Sequence, residues 1–547
     1  MQTLLSQILL SLIIFSQIVL LFSCAPKSQP VSFPVQGTRQ ILYGLGPEAA
    51  QGRTDFAKTK KLEYRFEAPV TVTSPASLEI EYSLTQGRAV FEAGTHSWVL
   101  PRWEDLGDHG FGGVIHYAIP VNESFPENFS ITVTAGTQDS VLQIRSINFI
   151  ERRYGFDRFL EKQIDHIYVS PYVSRRNSDS AWVIDPPAEY SVPTDYYTVL
   201  SAWLRQGNEA ILETGKRRLE VSPYLEYFTV PPGIIAPGRN PVVFIGDRVV
   251  SFRLAYAALP LFPQPIISDP GMILEWPEES WRDRRYELFC WENFPSLLIF
   301  DFIDYAMQDR MLKRLAFFTE KAGYRGRLAS DDEIADQHGW NAHDYRAQDL
   351  AMFFQAARES NFPLLHEERE LERILINAKI IQESGAGLQA GEGGIISLSR
   401  ESSDYLRRRF MAHEGYHGLF FIDEDFRTFS RRRWQALGPE ARRFIVSFFN
   451  YQRYDTADEY LLVNEFMAHI MQQPKSQAGS YFGQYLPSRL EESSWRKYDL
   501  PEKDTASGTW PALTAAFSRE AQIFSDYAET RWGLSAGTVN LVSVNSK

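Results

Sequence analysis

The sequence contains little cysteine and carries no net positive charge. Its 547 residues include only Cys24 and Cys290, so packed cores rather than a disulfide framework must stabilise the fold. The formal net charge of -13 argues against a nucleic-acid partner, because phosphate binding depends on clustered Lys and Arg. The chain is also longer than one hydrophobic core usually supports, which predicts several domains.

An apolar stretch opens the chain and ends at Leu21, Phe22, Ser23 and Cys24. This pattern is typical of an export signal, and its end resembles the lipobox of bacterial lipoproteins. The resemblance implies a signal peptide over residues 1–24, acylation of Cys24, and a body that is lipid-anchored outside the cytoplasm, on the periplasmic side of a bacterial membrane or at the cell surface. Residues 25–37 are predicted to form a linker. An uncleaved membrane anchor is the alternative, since the stretch approaches the ~20 residues that span a bilayer.

Strand patterns dominate the first half of the chain. Alternating and β-branched runs separated by turn residues predict a β-sandwich over residues 38–155 and a second over residues 156–260. The run VLQIRSINFIER, at 141–152, resembles the closing strand of jelly-roll modules. Many such modules bind carbohydrate, so the N-terminal sandwich has carbohydrate as a candidate partner.

Four prolines in LPLFPQPIISDPG, at residues 259–271, mark the next boundary. The periodicity then changes and predicts a mainly helical domain over residues 272–535. Its predicted helices lie at 296–321, 343–359, 365–381, 402–421, 439–451 and 456–472.

The feature that carries chemistry is a His-Glu-x-x-His motif at His413, Glu414 and His417, inside a predicted helix. Positions four apart lie on one face of a helix, so both imidazoles can bind one ion while Glu414 faces the water that the ion binds. Zn2+ suits this arrangement, because it accepts imidazole nitrogen and leaves a position open for water. The motif predicts a zinc-dependent peptidase with Glu414 as general base. Two helix histidines hydrogen-bonded in a core are the alternative.

A third ligand is needed, and Glu465, which follows Asn464 on a later predicted helix, is the best candidate. The two segments resemble the gluzincins, the thermolysin-like clan of zinc peptidases, whose third ligand is a Glu in an Asn-Glu-x-x-x-Asp pattern. The resemblance implies a fold class of two N-terminal all-β sandwiches followed by a mainly α zincin-like metallopeptidase domain. His469 stands where the family has Asp, the partner of a metal-bound imidazole. It could instead contact substrate or stabilise the oxyanion.

Asp423 is the alternative third ligand, because metzincins place a ligand six residues after the second His. That family has Gly where this chain has Phe420, so the helix has no evident reason to break there. A short strand at 395–398 precedes the motif helix and is predicted to offer an exposed edge to an extended peptide substrate.

Several other polar residues remain open. Tyr454, Tyr460 and Tyr481 are all candidate hydrogen-bond donors to the transition state, and the sequence does not choose among them. His338 and His343 are five apart and do not share a helical face, so surface or core positions are expected. The run from Arg407 to Arg409 is predicted to lie on a solvated helix face, and Cys290 is expected to be a buried, inert thiol.

The motif leaves three functions to compare. The first is a peptidase that hydrolyses peptides or proteins. The second is a surface-binding lipoprotein whose zincin-like domain no longer cleaves, although an intact Glu414 argues against it. The third is hydrolysis of a non-protein amide, such as a peptidoglycan stem, by the same zinc chemistry.

Overall fold

The fold is taken from a computed structural model of the chain. It describes residues 29–30, 41–56, 58–71, 76–94, 96–100, 115–121, 124–134, 140–151, 167–173, 175–178, 181–184, 196–204, 210–215, 217–222, 227–235, 242–246, 249–337, 339–385, 387–492 and 500–546. These residues fall into two compact units. Unit 1 lies within Met1–Val173, Pro187–Pro193 and Arg253–Ala258, and unit 2 within Ser174–Pro186, Thr194–Phe252 and Leu259–Lys547.

Unit 1 is built from two antiparallel sheets. The first sheet has the strand order Gln29–Pro30, Leu42–Gly44, Lys60–Phe66, Asn128–Thr134, Arg88–Ala93 and His96–Leu100. The second runs through part of Val249–Ala258, then Ile167–Val173, Ile115–Val121, Ala76–Leu84, Ser140–Glu151 and Arg53–Phe56. A two-stranded antiparallel pair, Val70–Thr71 with Ser124–Phe125, and a short helix, Pro47–Gln51, complete the described part of the unit.

Alternation of side chains explains why these strands form two layers. In Lys60–Phe66 the residues Leu62, Tyr64 and Phe66 are buried while their neighbours are exposed, which is the period of a half-buried strand. They share one hydrophobic cluster with Ile80 and other residues of the second sheet. The prediction of N-terminal sandwich-like sheets is confirmed.

Unit 2 contains a six-stranded antiparallel sheet. Its order is Arg175–Ser178, Ala181–Ile184, Val242–Ile245, Ala210–Thr214, Arg217–Val221 and Val542–Ser546. The last of these strands comes from the C-terminus and pairs with Arg217–Val221. Tyr196–Leu204 pairs with Tyr227–Val230. The linear domain boundaries expected from the sequence stay a prediction.

A five-stranded mixed sheet lies among the helices of unit 2. Its order is Ile266–Ser268, Tyr286–Trp291, Leu297–Phe302, Gly394–Ser399 and His343–Arg346, and the last strand is antiparallel to its neighbour. A hairpin, Ile381–Ser384 with Gly387–Ala390, precedes Gly394–Ser399. Every residue of Gly394–Ser399 is buried between two neighbours. The predicted strand at 395–398 is therefore real, but the prediction that it offers an exposed edge is wrong: the edge is His343–Arg346.

The α-helices around this sheet confirm a helical C-terminal region. They are Pro270–Leu274, Tyr305–Thr319, Ala347–Glu359, His366–Asn377, Asp404–Ile422, Glu424–Ala436, Pro439–Tyr451, Glu459–Met471, Lys475–Ser480, Leu486–Glu492 and Pro511–Trp532. Short 3-10 turns at Glu278–Ser280 and Asp332–Ile334 and a π-turn at Tyr481–Tyr485 link them.

Two predicted helices start too early. The helices expected at 296–321 and 343–359 begin with the strands Leu297–Phe302 and His343–Arg346. An apolar run such as LLIFDF, whose residues are all buried, fits a buried strand as well as a helix.

The predicted signal peptide and Cys24 lie outside the described residues, as does almost all of the linker. Among the residues that are described, no helix has the length and apolar character needed to cross a membrane.

Candidate metal centre

The motif helix, Asp404–Ile422, carries His413, Glu414 and His417 through the interior of unit 2. Ser403 precedes it in extended conformation, and every residue from Met411 to Phe420 is buried. Because the two histidines are one turn apart, their rings project from the same face. Their Nε2 atoms lie 3.2 Å from each other.

The second ligand helix, Glu459–Met471, brings Glu465 to the same point. Asp458 caps its start by accepting from the backbone N–H groups of Tyr460 and Leu461. Glu465 Oε2 lies 3.7 Å from His413 Nε2, and Glu465 Oε1 lies 3.8 Å from His417 Nε2.

These three side chains fit a metal ion by distance and by chemistry. Their ligand atoms all lie within 4.8 Å of one another. Two nitrogens on one tetrahedral Zn2+ stand about 3.3 Å apart, given Zn–N distances of ~2.0–2.1 Å, and the two Nε2 atoms match that spacing. Among the described residues, buried Glu465 Oε2 has no hydrogen-bond partner, which is the state of an atom that awaits a ligand.

Burial favours the protonation state that binds metal. Burial, reinforced by His417 and His469, lowers the pKa of His413 well below its usual range, so its imidazole is neutral. A neutral imidazole offers the lone pair that a cation needs. Two imidazoles and one carboxylate are a ligand set that Zn2+ accepts.

Glu414 lies beside the ligands and faces other carboxylates. Burial, together with the negative charges of Asp344, Glu465 and Glu320, raises the pKa of Glu414 well above its usual range. Within the described part of the chain its buried Oε2 has no hydrogen-bond partner. The negative charges gathered here are those that a bound cation would offset.

Asp344 is a site residue that the sequence analysis missed. It lies on the edge strand His343–Arg346, shares a hydrogen bond with Glu414, and places Oδ2 3.7 Å from His417 Nδ1. Burial raises the pKa of Asp344 to about 6. Asp344, Glu414 and His417 form a second group with the spacing of metal ligands. Nothing in the sequence marks Asp344 beyond its place next to His343.

His469 lies next to the ligands but belongs to neither group. Its Nδ1 is 3.0 Å from the carbonyl oxygen of Glu465 and 3.4 Å from Glu465 Oε2. Its ring packs edge-on against that of His413, with the centroids 4.8 Å apart. On the Nδ1 side of His417 it is Asp344, and not His469, that lies nearby.

A cleft of about 400 Å3 opens onto His413 and Glu414. Tyr454, Tyr481 and His469 also line it. Tyr460 lines a separate, much smaller cavity of about 30 Å3, which has Glu465 and Asp344 in its wall. The structure thus brings two of the three candidate tyrosines to the cleft.

Acidic and aromatic groups form one part of the cleft lining. Trp340 Nε1 donates to Glu320 Oε2 at 2.7 Å, and the Trp340 ring stacks on Tyr454 with the centroids 5.2 Å apart. Burial, followed by the negative charges of Glu465 and Glu320, raises the pKa of Tyr454 well above its usual range. Its phenol stays protonated and able to donate.

The remaining candidates lie away from the centre or outside the described residues. Asp423 caps the helix Glu424–Ala436 and pairs with Arg531, with Nη2 and Oδ2 2.7 Å apart, and it belongs to neither group of candidate ligands. His343 is buried, with Nδ1 2.7 Å from the hydroxyl of Tyr345, as a core histidine would be. His338 lies outside the described residues.

Two expectations about other side chains had different outcomes. Cys290 is buried, as expected, with its Sγ 3.2 Å from the carbonyl oxygen of Pro295. The predicted solvated face at Arg407 to Arg409 is wrong in part. Arg407 is buried in a two-point ion pair with Asp301, and Arg409 lines the cleft.

Comparison with known proteins identifies no family. No family model matches the chain, and no curated protein matches it. Among solved structures, a vicilin from Solanum melongena is similar at 12% identity and a TM-score of 0.11, over 44% of this chain and 84% of that one. AerE from Microcystis aeruginosa is similar at 10% identity and a TM-score of 0.10, over 43% of this chain and 99% of that one. Likenesses this weak carry no argument about fold or site.

Proposed function

We propose that this protein is a zinc-dependent peptidase of the gluzincin type. The observation that carries the proposal is the convergence of His413, His417 and Glu465 from two buried helices, with Glu414 beside them at a cleft. A zinc ion held by these three groups would polarise the scissile carbonyl and lower the pKa of a bound water toward ~7.

The residues around the ligands supply the other parts of a hydrolytic mechanism. Glu414 takes the proton of the attacking water and passes it to the leaving amine. Asp344 orients the imidazole of His417 from its Nδ1 side. Tyr454, whose raised pKa keeps it protonated, donates a hydrogen bond to the carbonyl oxygen as negative charge develops there.

A peptide or protein is the substrate that this cleft suits best. The edge strand His343–Arg346 carries Asp344 at the site and is the last strand of its sheet, so an extended peptide can pair along it. We also propose that Cys24 is acylated and holds the enzyme outside the cytoplasm on a bacterial membrane. Labelling with a fatty-acid probe that is equally strong in a Cys24→Ser protein would contradict this anchor.

The test of catalysis is Glu414→Gln, which removes the base and leaves the ligands in place. Peptide-library hydrolysis is expected to fall by ~10²–10⁴-fold or more, with zinc content unchanged. Glu424→Gln is the matched control, because Glu424 is exposed on the next helix. A Glu414→Gln protein with full activity would contradict the assignment of Glu414 as the general base. An unmodified protein that binds zinc and cleaves nothing would favour the surface-binding lipoprotein.

A further inference from the structure

Residues 535–542, the C-terminal segment, follow the last helix and contact the motif helix between its two histidines. The hydroxyl of Tyr416 donates to the carbonyl oxygens of Ser535 at 3.0 Å and Thr538 at 3.1 Å. The Tyr416 side chain is fully buried, so a hydrogen bond lost here is not easily replaced by one to water. One hydroxyl therefore ties the motif helix to two points of the C-terminal segment.

The segment also packs against the backbone of the motif helix at Gly415. A methyl group at this position would lie 2.9 Å from Cγ2 and 3.0 Å from Cγ1 of Val539, which is too close for carbon atoms unless one of them shifts. Val539 is buried and β-branched, so its side chain has little freedom to turn away. Ala would be more favourable than Gly inside a helix, so Gly415 suits the contact with Val539 rather than the helix itself.

The second ligand helix, Glu459–Met471, is joined to the same segment. The backbone N–H of Gly537 donates to the carbonyl oxygen of Met471, the last residue of that helix, at 2.7 Å. The neighbouring N–H of Ala536 donates to Ser525 Oγ at 3.2 Å. The four residues 535–538 thus contact both the helix of His413 and His417 and the helix of Glu465.

Asp269 fixes the other end of the C-terminal segment. Its buried carboxylate accepts hydrogen bonds from the backbone N–H groups of Leu541 at 2.9 Å and Val542 at 3.3 Å, and from that of Gly271 at 2.8 Å. Val542 then begins the strand that pairs with Arg217–Val221. Because the segment is held at both ends, it is part of the packed fold and not a loose terminus.

We infer that the C-terminal segment fixes the two ligand helices relative to each other, and that Tyr416 and Val539 are positioning residues of the metal centre. The inference deepens the proposed function and rests on it, because it concerns the same ligands. The spacing of His413 and His417 is set within one helix, whereas their distance from Glu465 depends on how the two helices lie. A metal site needs its ligands held to within about 0.5 Å, so a small shift of either helix weakens binding.

Tyr416→Phe tests the hydrogen bonds to the segment. Zinc affinity, measured by competition with a dye, should fall about threefold to tenfold. The visible absorption of the Co2+-substituted protein should also change, because it reports coordination geometry. Tyr286→Phe is the matched control: Tyr286 is equally buried and donates to Glu370 at 2.8 Å, but it lies on the strand Tyr286–Trp291 and not on a ligand helix. Unchanged affinity in Tyr416→Phe, or equal decreases in both variants, would overturn the inference.

Gly415→Ala tests the packing against Val539. The added methyl group should displace the motif helix and weaken zinc binding by about tenfold. Combining it with Val539→Ala should restore most of the affinity and the Co2+ spectrum, because the second substitution removes both Cγ atoms. Full affinity in Gly415→Ala alone, or no recovery in the double variant, would contradict the role of Val539.

Hydrogen–deuterium exchange in the metal-free proteins separates this inference from the proposed function. Backbone amides of residues 411–420 and 465–471 should exchange faster in Tyr416→Phe than in Tyr286→Phe. That result supports the role of the C-terminal segment even if the unmodified protein binds no zinc, an outcome that would refute the proposed function alone. Equal exchange in the two variants contradicts the inference.

Discussion

Two groups of buried carboxylates in unit 2 differ in what balances their charge. In the first group each carboxylate meets an arginine. The carboxylate oxygens of Asp301 accept hydrogen bonds from Arg407 at 2.7 and 3.0 Å, and those of Glu520 accept hydrogen bonds from Arg433 at 2.7 and 2.8 Å. Asp301 and Glu520 are both fully buried. These pairs join distant parts of the chain and complete their charge balance within the fold.

The second group of carboxylates lies on the motif helix and next to it. Glu414, Glu465 and Asp344 lie close together, and among the described residues no Arg or Lys side chain comes within ion-pair distance of them. The side chains within that distance of Glu465 and Asp344 are imidazoles instead. A buried carboxylate without a side-chain cation must hold a proton or face a bound cation. The contrast therefore separates carboxylates whose charge is balanced within the fold from carboxylates whose charge a bound cation would balance.

The largest expected effect comes from breaking an arginine pair. Asp301→Asn leaves Arg407 buried without its counter-charge, so the free energy of unfolding should fall by about 3–5 kcal/mol. Glu414→Gln in chelator-treated protein should cost little, because without a cation the raised pKa keeps the Glu414 carboxyl protonated, and the amide replaces one neutral group with another. Urea unfolding of both variants measures the difference. Equal losses of stability would show that the two groups do not differ.

Asp344→Asn sharpens the comparison at the site itself. Replacing the carboxylate on the Nδ1 side of His417 should weaken zinc binding by about 10–100-fold, the usual cost of losing a partner of a metal-bound imidazole. Competition with a zinc-binding dye gives the affinity. Asp349→Asn on the following helix is the control, since Asp349 pairs with Arg346. Unchanged affinity in Asp344→Asn would remove Asp344 from the site.

The smallest effect concerns a buried carboxyl outside both groups. Burial, with the charge of Asp269 second, raises the pKa of Glu292 well above its usual range, and burial raises the pKa of Asp269 to about 7. The folded state then holds protons that the unfolded chain has released, so stability falls as pH rises above about 4.5. Glu292→Gln should reduce the loss between pH 5 and pH 8 by on the order of 1–3 kcal/mol. Urea unfolding at the two pH values measures this loss. An equal loss of stability in the Glu292→Gln protein and the unmodified protein would contradict the prediction.

How much of the site could be predicted from the sequence depends on whether its residues are close together along the chain or come from distant segments. The motif is local, so the spacing of His413 and His417 on one helix could be read directly, and Glu465 followed from the resemblance to gluzincins. Asp344 could not be found in this way, because a strand pairing brings it to His417 from a distant part of the chain. Arg407 was misjudged for the same reason, since its partner Asp301 is on a remote strand.

The five-stranded sheet of unit 2 shows a second limit to prediction from the sequence. Leu297–Phe302 is buried throughout, and a short run without alternation does not distinguish a strand from a helix. The N-terminal strands alternate buried and exposed residues, and there the sandwich-like sheets were predicted correctly.

Metal content tests the central claim most directly. The soluble body, without the residues before Ala25, should contain about one zinc per chain by elemental analysis. His413→Ala and Glu465→Ala, purified identically, should lose most of it, and Asp423→Ala should keep it, because Asp423 pairs with Arg531 away from the site. No zinc in the unmodified protein after zinc is resupplied, or full zinc in the Glu465→Ala protein, would contradict the account.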